Sequence, residues 1–255
     1  MLTPEREILH NVKIKTFPLA GVQKMTVCSK AIFREPGWEL GKDKPSRLKP
    51  QDPEEESRPD NVRRAKQKVF EIAMLNRFTH FITWTLDQRE IDRYDAKEVS
   101  RRLKVFLNNQ VRRRNAKYII IPEYHKDGAI HLHGLLSGAF DMEDSHKTTK
   151  RGQTVYNMPQ WKYGWSTAVE LDGNVLAIAR YITKYITKDM QKIFGNFYYA
   201  GGDILRDAAI TLLDAEYETI TAEAYHVKAA KLSFKYLDID TAGEEYPEDY
   251  FDIAG

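Results

Sequence analysis

Lys117-Tyr118-Ile119-Ile120-Ile121-Pro122-Glu123-Tyr124-His125-Lys126-Asp127-Gly128-Ala129-Ile130-His131-Leu132-His133-Gly134-Leu135-Leu136 is the stretch that decides the fold. Two apolar runs flank Asp127-Gly128, a dipeptide that tolerates the positive φ of a tight turn, so the stretch reads as a β-hairpin. Alternate side chains of a strand share a face, which puts His131 and His133 on the same side of the sheet. What stands across from them depends on the turn. A three-residue turn, Lys126 to Gly128, pairs His125 with Ala129 and sets Glu123 opposite His131; a two-residue Asp127-Gly128 turn sets Tyr124 there instead. Glu123 is therefore a conditional third ligand. Two imidazoles and a carboxylate suit Mg²⁺ or Mn²⁺ acting as a Lewis acid on a phosphate oxygen. The plainer alternative is two surface histidines on an edge strand. Against it stand Leu132, Leu135, Leu136 and the isoleucines, the composition of a core strand in which paired histidines need a polar purpose.

Upstream, Asp60 reads as the N-cap of a helix with Val62, Ala65, Val69, Ile72 and Ala73 as its apolar stripe. Thr79 to Leu86, rich in β-branched and aromatic residues, reads as a strand. Asp95 and Glu98 resemble a capping box for a second helix whose buried face is Val99, Leu103, Phe106, Leu107 and Val111. Its other side carries Arg101, Arg102 and Lys104, with Arg112, Arg113 and Arg114 in the last turn, where the helix dipole favours cations. Further upstream, residues 10 to 34 suggest a strand or two and residues 35 to 60 a polar linker or long loop. Downstream, a polar loop around residues 141 to 160 leads to an aromatic cluster, Trp161, Tyr163 and Trp165, then to a strand-like Ser166 to Leu171. A helix follows from about Val175 to Met190.

On that helix Tyr181 and Tyr185 lie on one face one turn apart, with Lys184 and Lys188 beside them. Val175, Ala179, Ile182 and Ile186 form a separate stripe, so core packing does not call for the tyrosines. A phenol with a pKa near 10 is a poor nucleophile until a cation or metal lowers that value, and the lysines are one such source. The alternative is that the tyrosines line the core edge while the lysines stay solvated.

The net charge of +2 conceals an asymmetry. Residues 61 to 120 hold fifteen Lys/Arg against six Asp/Glu, a balance of +9, and residues 203 to 255 hold four against thirteen, a balance of −9. A basic middle attracts a polyanion through phosphate contacts, and an acidic tail limits indiscriminate binding. Cys28 is the only cysteine, which excludes an internal disulfide and a cysteine-cluster zinc site. No apolar run reaches the length of a membrane span and the N-terminus lacks a signal-like stretch, so a cytoplasmic protein with no membrane association is expected.

Taken in order, Phe81-Ile82-Thr83-Trp84-Thr85, then His131-Leu132-His133, then Tyr181-Ile182-Thr183-Lys184-Tyr185-Ile186-Thr187-Lys188, the chain resembles the HUH endonuclease superfamily. It is most similar to replication initiators of small single-stranded DNA phages, of the microvirus and filamentous-phage gene II types. The resemblance spans about residues 60 to 205. It implies an α+β fold, a palm of antiparallel strands flanked by helices, with His131 and His133 as metal ligands and Glu123 completing the site. It implies that Tyr185 or Tyr181 attacks the backbone of single-stranded origin DNA, becomes linked to the 5′ phosphate and frees a 3′ hydroxyl as primer. Lys184 and Lys188 would assist, while Arg101, Arg102, Arg112, Arg113 and Arg114, with Trp161 and Trp165 as stacking platforms, would hold the DNA. The implied organisation is an N-terminal extension with linker (1–60), an endonuclease domain (61–205) and an acidic C-terminal extension (206–255). No Walker A pattern occurs, so unwinding and synthesis are expected of a host helicase and polymerase. A plasmid initiator, relaxase or transposase would share the chemistry, and a non-catalytic single-strand binder using Trp84, Trp161 and Trp165 would need neither the histidines nor the tyrosines.

Overall fold

The computed structural model describes residues 8–34, 59–187, 193, 195–217, 225–229, 232–238, 246–247 and 249–254. In chain order these form β1 (Leu9–His10), β2 (Val12–Phe17), β3 (Val22–Cys28), β4 (Phe33–Arg34), α1 (Pro59–Leu75), β5 (His80–Leu86), α2 (Ala96–Arg114), β6 (Lys117–Tyr124) and β7 (Ile130–Ser137). There follow β8 (Glu143–Thr148), β9 (Thr154–Asn157), β10 (Gly164–Glu170), α3 (Val175–Thr183), β11 (Tyr199–Gly201), β12 (Ala209–Leu213), β13 (Tyr225–Ala229) and β14 (Leu232–Asp238). The fold is α+β and its sheets are antiparallel. Among the described residues no helix is long and apolar enough to cross a membrane.

Two compact units divide the chain. The first comprises residues 1–53 and 208–242, so strands from both ends of the sequence share one five-stranded sheet in the order β12-β2-β3-β14-β13. Asn11 ties the return segment in place, its side chain bonding both the N–H and the carbonyl of Ala215. Cys28 is a buried free thiol.

The second unit, residues 54–207 and 243–255, is built on a seven-stranded sheet ordered β11-β6-β7-β5-β10-β9-β8. On one face α2 buries Val99, Leu103, Phe106 and Leu107 against Ile82, Trp84, Leu86, Ile120, Leu132 and Leu136. Asp95 caps α2 by accepting from the N–H groups of Lys97 and Glu98, and Asn115 ends it in the left-handed region. The Glu98 carboxylate does not close a capping box; Arg101 and Arg102 engage it instead. Beyond the other face, α3 packs on α1 and touches β7.

Three local expectations are corrected. Helix α1 begins at Pro59, before the expected cap Asp60, because a proline fits the first helical position, where its missing N–H has no partner to lose. The polar loop of residues 141 to 160 contains β8 and β9, an edge hairpin whose exposed, charged strand β8 lacks the apolar alternation that signals a strand. Helix α3 stops at Thr183 rather than Met190, with Asn174 as N-cap and Lys184 as C-cap. The β-branched residues Ile182, Thr183, Ile186 and Thr187 disfavour a long helix, and Thr183 turns its hydroxyl back to the Arg180 carbonyl.

Candidate active site

The hairpin register resolves the turn. His125 N–H donates to the Ala129 carbonyl, Gly128 sits at φ 82°, and Glu123 pairs with His131 across β6 and β7. Since Ile130, Leu132 and Leu136 face the core under α2, His131 and His133 face the opposite side. Cross-strand pairing extends both rows: Glu123, His131, Thr85 and Trp165 form one, and Ile121, His133, Thr83 and Thr167 the next. Gly134 follows His133 because β6 passes too close for a side chain; a Cβ there would lie 2.4 Å from the Ile119 carbonyl oxygen.

Within the rows, His133 Nε2 lies 3.2 Å from a Glu123 carboxylate oxygen and its Nδ1 lies 3.2 Å from the Thr83 hydroxyl. The hydrogen bond with His133 holds the Glu123 carboxyl below its ordinary range, against the opposing effect of burial. His131 stacks on His125, and burial, reinforced by the charges of His125 and His133, lowers its pKa. A lowered imidazole pKa keeps the ring in the neutral, ligating form.

The end of α3 lies over this face. Tyr185, two residues past the helix, stacks on His133 with ring centroids 4.0 Å apart, and Lys184 Nζ stands 3.8 Å from the Tyr181 ring centre and 5.0 Å from that of Tyr185. Glu123, Lys184 and Tyr185, joined by Asp249 and Asp252, line a cleft of about 430 Å³. Burial pushes the Tyr185 phenol well above its ordinary pKa, and Tyr181 adds to the shift; burial likewise raises Tyr181. Tyr181 is 4% exposed, held edge-on to Phe81 and Phe251. This corrects the expectation that core packing leaves both tyrosines aside, since the aromatic wall around Tyr181 comes from residues remote in sequence.

Donor chemistry and shared face fit a divalent cation at His131, His133 and Glu123. Among the described residues, however, no three His, Cys, Asp or Glu side chains stand in metal-holding geometry. Glu123 is turned onto His133 and His131 onto His125, so an ion requires side-chain rotation before all three donors meet.

The remaining predicted residues separate. Trp165, 60% exposed, stands on the histidine face beside Thr85, whereas Trp161 is buried on the other side of the sheet, stacked on Trp84 and edge-on to Phe106. Trp84 is fully buried. Arg101, Arg102, Arg112, Arg113 and Arg114 belong to α2, the layer covering the opposite face; Arg114 donates to the Ala139 carbonyl and pairs with Asp141. Lys188 lies outside the described residues. Sequence reasoning missed Phe81 and Thr83 as supports of His133 and Tyr185, although both alternate with core residues in the quoted strand. It also missed Asp249, Phe251 and Asp252, which carried no signal beyond tail acidity.

Residues 79–190 match a family model described as a replication-associated protein of the ORF2 and gene II protein type. The span contains β5, α2, the β6–β7 hairpin and α3, hence both rows and both tyrosines. The match, over 112 of the chain's 255 residues, agrees with the resemblance to the gene II type. Searches of curated proteins and of solved structures gave no match.

Proposed function

From a chain whose central segment matches a replication-associated family, we propose a replication initiator endonuclease that nicks single-stranded DNA at an origin and starts rolling-circle synthesis. The observation that carries the reading is the convergence of Tyr185, Lys184 and Glu123 in one cleft, with the His131/His133 pair on the same side of the sheet and His133 in contact with both Tyr185 and Glu123. Tyr185 or Tyr181 forms the bond to phosphorus, leaving a 5′-phosphotyrosine and a 3′ hydroxyl that serves as primer. His131, His133 and Glu123 would hold Mg²⁺ or Mn²⁺, which would supply Lewis-acid polarisation of the phosphate. Lys184 offsets negative charge developing on the phenol oxygens, the group whose pKa burial has raised. Thr83 and the Phe81 ring orient the His133 imidazole and the Tyr185 ring. Trp165 stacks a base of the single strand on the same face, and the α2 arginines supply further phosphate contacts. Unwinding and synthesis fall to a host helicase and polymerase in the cytoplasm.

The test is incubation with Mn²⁺ and single-stranded circles or oligonucleotides carrying the origin. A denaturant-resistant DNA adduct that EDTA prevents, and that maps to Tyr185 or Tyr181, supports the reading. Metal-dependent nicking without an adduct replaces it with water activation; tight binding with neither replaces it with a single-strand binder.

A further inference from the structure

The two tyrosines differ in their surroundings, and the difference comes from the C-terminal segment. Its described residues, 246–247 and 249–254, lie across α3 and the sheet edge of their own unit. Phe251, 7% exposed, stacks on Phe81 with centroids 4.5 Å apart and meets Tyr181 edge-on at 4.9 Å. Tyr246 adds a second edge contact to the Tyr181 ring. Tyr185, by contrast, is half-buried and lines the open cleft.

The attachments of this segment are of a kind that releases. Lys150 N–H donates to the Asp252 carbonyl at 2.8 Å and Ala254 N–H to the Thr148 carbonyl at 2.9 Å, both at the exposed edge. Lys150 Nζ pairs with Asp249 at 3.5 Å and Asp252 at 3.3 Å, and such half-exposed ion pairs are individually weak. Asp249 and Asp252 also line the cleft with Tyr185 and Glu123.

We propose that this segment, anchored by Phe251, is a strap that ranks the nucleophiles: Tyr185 attacks first, and Tyr181 is latent until the strap lifts. The inference rests on the nicking reading above and assigns its order and control. At either tyrosine the step is the same. The phenol oxygen bonds to phosphorus, the bond from phosphorus to the 3′ oxygen breaks, and the departing 3′ oxygen ends with the proton the phenol has lost. Seating the strap keeps Tyr181 reactivity proportional to the small fraction of open molecules.

Two readouts on the full-length protein test this, one independent of catalysis. Nitration with tetranitromethane, mapped by mass spectrometry, should be raised at Tyr181 at least about fivefold by Phe251→Ala and stay within about twofold at Tyr185. Ala254→Pro, which deletes one edge hydrogen bond without touching the aromatic cluster, should act in the same direction if Phe251→Ala folds poorly. In a Tyr185→Phe background, Phe251→Ala should raise the Mn²⁺-dependent adduct at Tyr181 by about tenfold; in a Tyr181→Phe background it should change the Tyr185 adduct by less than about threefold. An unchanged Tyr181 nitration rate in Phe251→Ala, or an equal effect of Phe251→Ala in both backgrounds, overturns the strap. Absence of any adduct in wild type removes the nicking reading and the ranking with it, whatever the nitration pattern.

Discussion

Replacing Trp165 by alanine separates a binding role from a structural one. The indole is 60% exposed and lies two strands from His131, through Thr85, or about 10 Å at normal strand spacing. Stacking of one base on an aromatic ring contributes about 1–3 kcal/mol, so Trp165→Ala should weaken single-strand binding roughly 5- to 150-fold. Little folding energy is at stake for a side chain so exposed, and stability should stay within about 0.5 kcal/mol of wild type. Trp161→Ala should do the reverse, costing about 3–5 kcal/mol of stability, since it removes a buried ring stacked on Trp84. Fluorescence anisotropy with a labelled oligonucleotide at several salt concentrations measures the first effect, and denaturant unfolding the second. The salt slope should not change for Trp165→Ala, because no phosphate charge is lost. Wild-type affinity in Trp165→Ala, or an affinity loss matched by a loss of stability, would refute the placement of a base on this face.

Three further outcomes follow from the geometry. Glu98 is held down to about 2 by its hydrogen bonds to Arg101 and Arg102; a depressed carboxyl stabilises the fold above its ordinary value of 4.5, and the contribution is lost as pH falls toward 2. Glu98→Gln should therefore melt below wild type at neutral pH, with the gap closing between about pH 4.5 and 2, and a gap that persists at pH 2 would contradict the assignment. Gly134→Ala would set a Cβ 2.4 Å from the Ile119 carbonyl oxygen and 2.7 Å from Ile120 Cδ1, so β6 must move away at a cost of about 1–3 kcal/mol, visible as a lowered Tm. His131→Ala and His133→Ala should each reduce Mn²⁺-dependent cleavage about a hundredfold or more while leaving oligonucleotide affinity nearly intact; loss of affinity in a folded variant would argue against a metal role.

Much of the site was legible because it depends on local periodicity. Two-residue alternation places His131 and His133 together in any register, and Asp127-Gly128 fixes the hairpin to within one residue. That remaining residue decided whether Glu123 or Tyr124 faced His131, and it was settled by the Gly128 conformation and the His125–Ala129 pairing. The tyrosines were legible as a pair one turn apart but not as unequal. Their inequality comes from Phe81 and Phe251, remote along the chain on either side, which pack around Tyr181 and leave Tyr185 on the cleft. Trp161 and Trp165 looked equivalent, yet a strand end and the sheet pleat send one into the core and the other to the histidine face. The α2 arginines were readable as a charged helix face, with nothing local to reveal that the sheet would stand between them and His131.

The strand and helix periods, the turn dipeptide and the ordered motifs were enough to indicate an α+β fold carrying paired histidines and paired tyrosines, because each is encoded within a few consecutive residues. Strand order, which face each layer covers, the return of the C-terminal segment over Tyr181 and the sharing of one sheet by both chain ends depend on contacts between distant segments. Such contacts leave no period in the sequence, and only the packed structure fixes them.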